Sequence, residues 1–375
     1  MPADALPIVP IVEPTLVPWD DVADDLRAVW ENPKLTCGEF CRRFEEEAAR
    51  RIDVPYAIAV GSCTSGLMLC VKAMGLTGEV ILPPFTWTAT GEALLWNNVT
   101  PVFADITPGT YTLDPESAER AITPRTSALM PVTVFGVPPD IDALQDLARR
   151  RGLKVLYDSA QGLGSTWRGR PLGAFGDVEV FSLSPTKVVT AVECGLITTR
   201  DPDLAARLRR MRDYGKAASG DDIDLLGLSC RPSEFHGLVG WHNLRRVDDL
   251  VAARCRLIAR YRSQLAGLAG VSFQTLPDWS ATTGNYMTIF VRDGEAALSR
   301  DALYKALGER GVQTKRYFHP ALHLQTVYAA YRSLYEGRLP VAESASLEGL
   351  ALPLFSHMRD DQVDRVCAAV RDLLA

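Results

Sequence analysis

From about residue 55 the chain alternates short apolar runs with amphipathic stretches, and no other property of the sequence restricts its fold as much. The runs YAIAV (56–60), EVILP (79–83), PVFAD (101–105), SALMPV (127–132), KVLYD (154–158) and VEVFS (178–182) are short, apolar and bounded by turn residues, so they read as strands. Between them, residues 65–74, 115–122 and 141–151 carry apolar side chains at helical spacing. Strands that alternate with helices assemble into a mostly parallel sheet covered by helices, an α/β fold. The pattern stops near residue 245. Beyond it come an Arg-rich helical stretch (244–265), the strand-like NYMTIFVR (285–292) and helices at 300–310 and 360–374. Three divisions are expected: a proline-rich segment, 1–20, packed on the small unit or a partner chain; a large domain, 21–245; and a smaller C-terminal α+β domain, 246–375.

Composition narrows the function. With 375 residues, 47% of them hydrophobic, the chain can bury a large core, which argues against disorder. Its 40 Lys and Arg stand against 46 Asp and Glu, a net charge of -6, so there is no basic footprint for nucleic acid or an anionic membrane. No apolar run reaches the roughly 20 residues that span a bilayer, and the opening MPADALPIVPIVEP lacks the pattern of a signal segment, so a soluble cytoplasmic protein is expected. Eight cysteines are scattered from Cys37 to Cys367, and the lone CxxxC of Cys37 and Cys41 has no matching second pair, so free buried thiols are expected rather than a metal.

In an open α/β sheet, ligands bind beyond the carboxyl ends of the strands, and the residues there are the candidates for chemistry. After YAIAV stand Gly61, Ser62, Cys63, Thr64, Ser65 and Gly66, small and hydroxylic, leading into an apolar helix. Free N–H groups at a helix start, with hydroxyls beside them, cradle a phosphate. An ordinary N-cap is the plainer alternative, since Ser and Thr are preferred there too. After EVILP, Trp87 offers a ring to lay over a flat heterocycle, the alternative being a core tryptophan. After KVLYD, Asp158 is a carboxylate at a buried strand end, where it needs a cation or several donors. Either it caps the next helix or it pairs with a protonated pyridine nitrogen, keeping that ring an electron sink. After VEVFS, Lys187 follows Ser182 by five residues and lies within apolar sequence. Most lysines are solvated surface charges, but burial lowers a lysine pKa, as an imine-forming amine requires. A phosphate cradle, a stacking ring, a pyridinium partner and an imine lysine, in that order, are together what pyridoxal 5'-phosphate (PLP) needs.

These residues and their surroundings resemble the DegT/DnrJ/StrS family of sugar aminotransferases, within the fold-type I PLP enzymes. The resemblance runs over nearly the whole chain: LTCGEFCRRFEEEAARR, GSCTSGL, GEVILPPFTWTAT, TPVFADI, DSAQGLGS, GDVEVFSLSPTK and SEFHGLVGWHNL, then TKRYFHPALH and ALPLF. It implies a fold-type I architecture with PLP held covalently on Lys187 and pyridoxamine phosphate as an intermediate. Asp158 becomes the pyridinium partner, Gln161 the neighbour of the phenolic oxygen, Trp87 the stacking ring, and Thr64, Ser65 and Ser182 the phosphate ligands. A homodimer is also implied, each site being completed by the partner chain. Ser229 and Cys230, in GLSCRPSEF, stand where many members carry Asn and an aromatic, so Ser229 takes the place of the residue that reaches the other subunit's phosphate. Cys194 stands where glycine is common and Thr133 where histidine is frequent.

What the resemblance implies is transfer of an amino group from glutamate or glutamine to a keto sugar. The acceptor is expected to be a nucleotide-linked 4-keto-6-deoxyhexose, in amino-sugar biosynthesis for an antibiotic or glycan; a 3-keto sugar or a ketocyclitol is the alternative. Arg231, Lys315, Arg316, Tyr317, His319 and His323 lie where the second domain is expected to meet it, with Arg231, Tyr317, His319 and His323 as substrate contacts. The two histidines four apart have no third ligand, so no metal is expected there. Members that dehydrate a sugar replace the imine lysine with histidine, and Lys187 argues against that chemistry. An alternative of another class is a PLP-fold regulator without turnover, against which Lys187, Asp158 and Gln161 speak.

Overall fold

The seven strands of the central sheet lie in the order Tyr56–Val60, Gly195–Thr199, Val178–Ser182, Lys154–Asp158, Thr126–Leu129, Glu79–Leu82 and Thr100–Phe103. The computed structural model describes residues 8–217 and 219–375. Four of the neighbouring pairs are parallel, and only Gly195–Thr199 runs against the strands on both its sides. A parallel sheet is covered on both faces, which is why its strands read as continuous apolar runs. Successive side chains of a strand face opposite ways. Leu156 and Val180 therefore join Leu67 and Phe85 on one face, while Val155, Tyr157 and Phe181 join Phe44 and Leu144 on the other. The expected α/β class, with a mostly parallel sheet flanked by helices, is the observed one.

Details differ from the expectation for identifiable reasons. Gly195–Thr199 was not among the expected strands, because no helix separates it from Val178–Ser182 and it returns antiparallel. The run 127–132 pairs as a strand only over Thr126–Leu129, since Pro131 has no N–H to give to a ladder. The chain stays extended beyond it, however, and Thr133 N donates to the Asp158 carbonyl at 3.0 Å. The stretch expected as a helix over 244–265 is helical over Val247–Leu265, and the chain turns before it, after the separate helix Glu234–Leu244. Residues 39–52 also form a helix, whose N-terminal N–H groups are satisfied from a distance. The buried Glu234 carboxylate accepts from the backbone of Gly38 (2.8 Å), Phe40 (2.8 Å) and Cys41 (3.1 Å).

A smaller antiparallel sheet places Met287–Val291 between Val271–Phe273 and Gly349–Leu352. The helices Val247–Leu265 and Asp360–Leu374 pack on it through Leu257, Tyr261, Val363 and Val366. Val9 joins that cluster, donates to the Gly311 carbonyl at 2.8 Å and accepts from Gln313 N at 2.9 Å. Residues 1–7 of the expected N-terminal segment lie outside the described residues. Among the described residues no helix is long and apolar enough to cross a membrane, and no group of three or more His, Cys, Asp or Glu is placed to hold a metal.

Candidate active site

A cavity of about 290 Å³ opens at the carboxyl ends of the central strands. Its wall brings together Thr64, Trp87, Asp158, Gln161, Ser182 and Lys187, and Tyr317 enters from the side of the small sheet.

One end of the wall is the start of the helix Cys63–Ala73. Ser62 caps it: Ser62 Oγ accepts from Ser65 N and Ser65 Oγ accepts from Ser62 N, both at 3.1 Å. The Ser65 hydroxyl is thus taken up by the cap, and it is Thr64 that faces the cavity. Ser182 lies across from it, its Oγ accepting from Ser184 N at 3.4 Å. The loop 61–63 can lie this close to the sheet because residue 195 has no side chain. A Cβ on Gly195 would stand 2.5 Å from the Ser62 carbonyl carbon.

Asp158 ends its strand 3% exposed. Thr90 Oγ1 donates to Asp158 Oδ2 at 2.7 Å and Ala160 N to Oδ1 at 3.1 Å. Burial pushes its pKa above the usual carboxylate value, opposed by those two bonds and by the charge of Lys187. The carboxylate is therefore short of positive charge, the condition a bound pyridinium would relieve. Gln161 Oε1 accepts from Phe135 N at 2.6 Å, which leaves its amide NH₂ as the free end. Trp87 is 54% exposed, so it is no core residue. Its ring meets that of Tyr317 edge-on at 6.5 Å, and Lys315 Nζ sits 5.5 Å from the Trp87 ring and 5.0 Å from the Tyr317 ring. Lys187 hangs from the loop after Val178–Ser182, its backbone N donating to the Ser184 carbonyl at 3.0 Å.

Behind Asp158, on the next strand, Glu179 is 1% exposed and accepts from Ser159 Oγ and Phe175 N, each at 2.9 Å. Burial outweighs these bonds and pushes its pKa from an ordinary 4.5 to about 7. Between those values the folded chain keeps a proton that the unfolded chain has released, so stability falls as pH rises through this window and levels off above it. Glu179→Gln is expected to flatten that part of the curve. Urea midpoints between about pH 4 and pH 8 check it, and an unaltered slope excludes Glu179 as its source.

Other candidates stand elsewhere. His323 is fully buried, bonds Glu343 Oε1 at 3.1 Å and packs on Phe103, and burial pushes its pKa down. His319 contacts Ser346 Oγ at 3.3 Å, also with its pKa pushed down by burial, and is not in the cavity wall. Arg231 pairs with Asp213 at 3.0 Å, and Ser229 forms a backbone bridge with the same residue, both outside the cavity of their own chain. Three contributors were not singled out from sequence. Thr90, in the first turn of the helix Ala89–Leu95, and Thr86, just before it, carry no mark of a site in their local sequence, and their hydroxyls meet at 2.9 Å. Tyr286 is 100 positions from its partner Thr186, and nothing local marks it.

The DegT/DnrJ/EryC1/StrS aminotransferase family model matches residues 20–371. The chain is 35% identical over 342 residues to the GDP-perosamine synthase of Caulobacter vibrioides, covering 90% of this chain and 91% of that one. It is likewise 35% identical over 347 residues to the dTDP-3-amino-3,4,6-trideoxy-alpha-D-glucose transaminase of Streptomyces venezuelae, 92% and 89% of the two chains. A crystal structure of DesI in the presence of its TDP-sugar product is similar with a TM-score of 0.92 at 34% identity, over 99% of this chain and 94% of that one.

Proposed function

Because the chain belongs to the DegT/DnrJ/EryC1/StrS aminotransferase family, we propose that its cavity holds PLP on Lys187 and moves an amino group from glutamate or glutamine to a nucleotide-linked 4-keto-6-deoxyhexose. The reading is carried by the convergence of Thr64, Trp87, Asp158, Gln161, Ser182 and Lys187 on one cavity of about 290 Å³. The donor set fits the cofactor. A buried carboxylate has only neutral donors, Thr90 and Ala160, bonded to it, an amide keeps its NH₂ end free, and two hydroxyls line the cavity near a helix start.

When bound, PLP supplies an electrophilic carbon and a ring that accepts the electron pair of a broken bond. Asp158 holds the proton on the ring nitrogen, and the Gln161 amide donates to the phenolic oxygen. Thr64, Ser182 and the N–H groups of the helix start bind the phosphate. Trp87 covers the ring face and keeps water off it. With the cofactor and donor bound, Lys187 Nζ would be the amine that moves a proton between the donor's α-carbon and the cofactor's C4'. The same groups run in reverse on the ketone. In a homodimer, Ser229 or Cys230, on the segment that also exposes Tyr214, Ile223 and Leu226, would be the residue to meet the phosphate of the second copy.

Two features support a nucleotide-linked acceptor. The GDP-perosamine synthase relative is named for such a sugar, the DesI structure was obtained in the presence of its TDP-sugar product, and Lys315 sets an ammonium group in the cavity wall, where an anionic substrate finds a partner. A 3-keto sugar is the second reading, favoured by the transaminase from Streptomyces venezuelae, which is named for a 3-amino sugar. The test is to load the enzyme with glutamate and offer nucleotide-linked 4-keto and 3-keto sugars and ketocyclitols in turn, following the cofactor's absorbance. The 4-keto sugar is expected to restore the original spectrum fastest. Restoration by simple keto acids alone would remove the sugar assignment, and no conversion by glutamate or glutamine would remove the transaminase.

A further inference from the structure

Tyr286 enters the cavity just ahead of the strand Met287–Val291 and faces the loop that bears Lys187. Its hydroxyl donates to Thr186 Oγ1 at 3.3 Å, and Lys187 Nζ lies 5.8 Å from the centre of its ring. Beside it in sequence, the Asn285 carbonyl accepts from the guanidinium of Arg254 at 2.9 Å. Arg254 is 1% exposed and also donates to Ser356 Oγ at 3.1 Å, so neither partner is a carboxylate. A buried cation paired only with neutral groups favours the anionic form of any acid beside it.

Around Tyr286 stand Thr186, which its hydroxyl meets, Lys187, whose Nζ lies over its ring, and Tyr317, whose ring centre is 4.8 Å away, and the charge of Arg254 also acts on the phenol. The acids elsewhere in the cavity wall are Asp158 and Glu193. Burial pushes the Tyr286 phenol up, but Lys187, the bond to Thr186, Tyr317 and Arg254 together outweigh it and hold the phenol below its ordinary value. Tyr317 beside it goes the other way, raised by burial and by Tyr286. Two adjacent phenols are thus driven apart, and the one nearer Lys187 is the easier to ionise.

We propose that Tyr286 is the proton partner of Lys187. With the amine free, the phenolic O–H bond breaks as an N–H bond forms on Nζ, leaving a phenolate beside an ammonium, and the reverse transfer restores the neutral pair. Both atoms belong to the chain, so no further reactant is consumed. The pair lets Lys187 change its protonation state without exchanging protons with bulk water. Tyr286 acts through Lys187 and is a positioning residue in that sense.

The inference rests on the reading of Lys187 as the cofactor lysine, and the test separates the two. Tyr286→Phe keeps the ring and removes only the hydroxyl. In the PLP-loaded enzyme without substrate, the pH midpoint of the cofactor's absorbance change is expected to fall by about one unit, a tenfold change in the proton equilibrium, because no ionisable phenol remains to stabilise the cation at Nζ. The glutamate half-reaction is expected to slow about 10²-fold with KM for glutamate within about twofold. An unmoved midpoint overturns the inference, whether or not the variant has also lost thermal stability. Borohydride reduction of the wild type followed by peptide mass analysis tests the underlying reading. A label away from Lys187 removes that reading and the inference with it. A label on Lys187 together with an unmoved midpoint removes the inference alone.

Discussion

Lys187→Ala is expected to slow the glutamate half-reaction by about 10³-fold or more, about 4 kcal/mol of barrier. The other lysine of the cavity wall, Lys315, is held over the rings of Trp87 and Tyr317, 5.5 and 5.0 Å from their centres. The fold is not expected to suffer. The lysine's backbone bond to Ser184 survives the substitution, and the side chain is only half-buried in a loop. Single-turnover absorbance with glutamate measures the rate, and a thermal melt measures the fold. A variant that turns over near the wild-type rate would falsify the assignment of Lys187.

Asp158→Ala is expected to lower the same rate by at least about 10²-fold, near 3 kcal/mol, because the ring nitrogen loses the carboxylate that keeps its proton. Here stability changes too. Thr90 and Ala160 lose a buried acceptor at 2.7 and 3.1 Å, a loss of about 1–3 kcal/mol. The two effects separate in one comparison. Asp158→Asn keeps an acceptor for Thr90 but no charge, so it should recover part of the melting temperature and little of the rate. If both variants transaminate at wild-type rate once loaded, Asp158 is a cap of the chain that follows it and nothing more.

Much of the site was legible because chemistry in an α/β fold collects at strand ends, and strand ends are local features. Asp158 closes an apolar run, and Lys187 follows one within a few residues. Trp87 shows the limit of such reading. Residue type alone leaves a tryptophan either in the core or on a ligand, and its exposure was settled by Tyr317 and Lys315, which come from the far end of the chain. Ser65 shows another limit. Ser62 and Ser65 have the spacing of a capping box, and which hydroxyl of the cluster is left for a ligand depends on which are spent on the helix start. His323 looked available as a residue type, yet its surroundings of Phe103 and Glu343 make it part of the packing.

The sequence by itself determined the α/β class and the mostly parallel sheet, because burial on both faces writes continuous apolar runs and helices write their own period. It also determined which functional groups stand at the strand ends. Only the tertiary structure decided which of them share a cavity. Strand order is a matter of pairing between distant segments: Gly195–Thr199 inserts beside Val178–Ser182, and the loop of Ser62 rests on Gly195. Contacts such as Thr90 with Asp158, 68 residues apart, and Tyr286 with the residue before Lys187 follow from that pairing, and no local pattern encodes them.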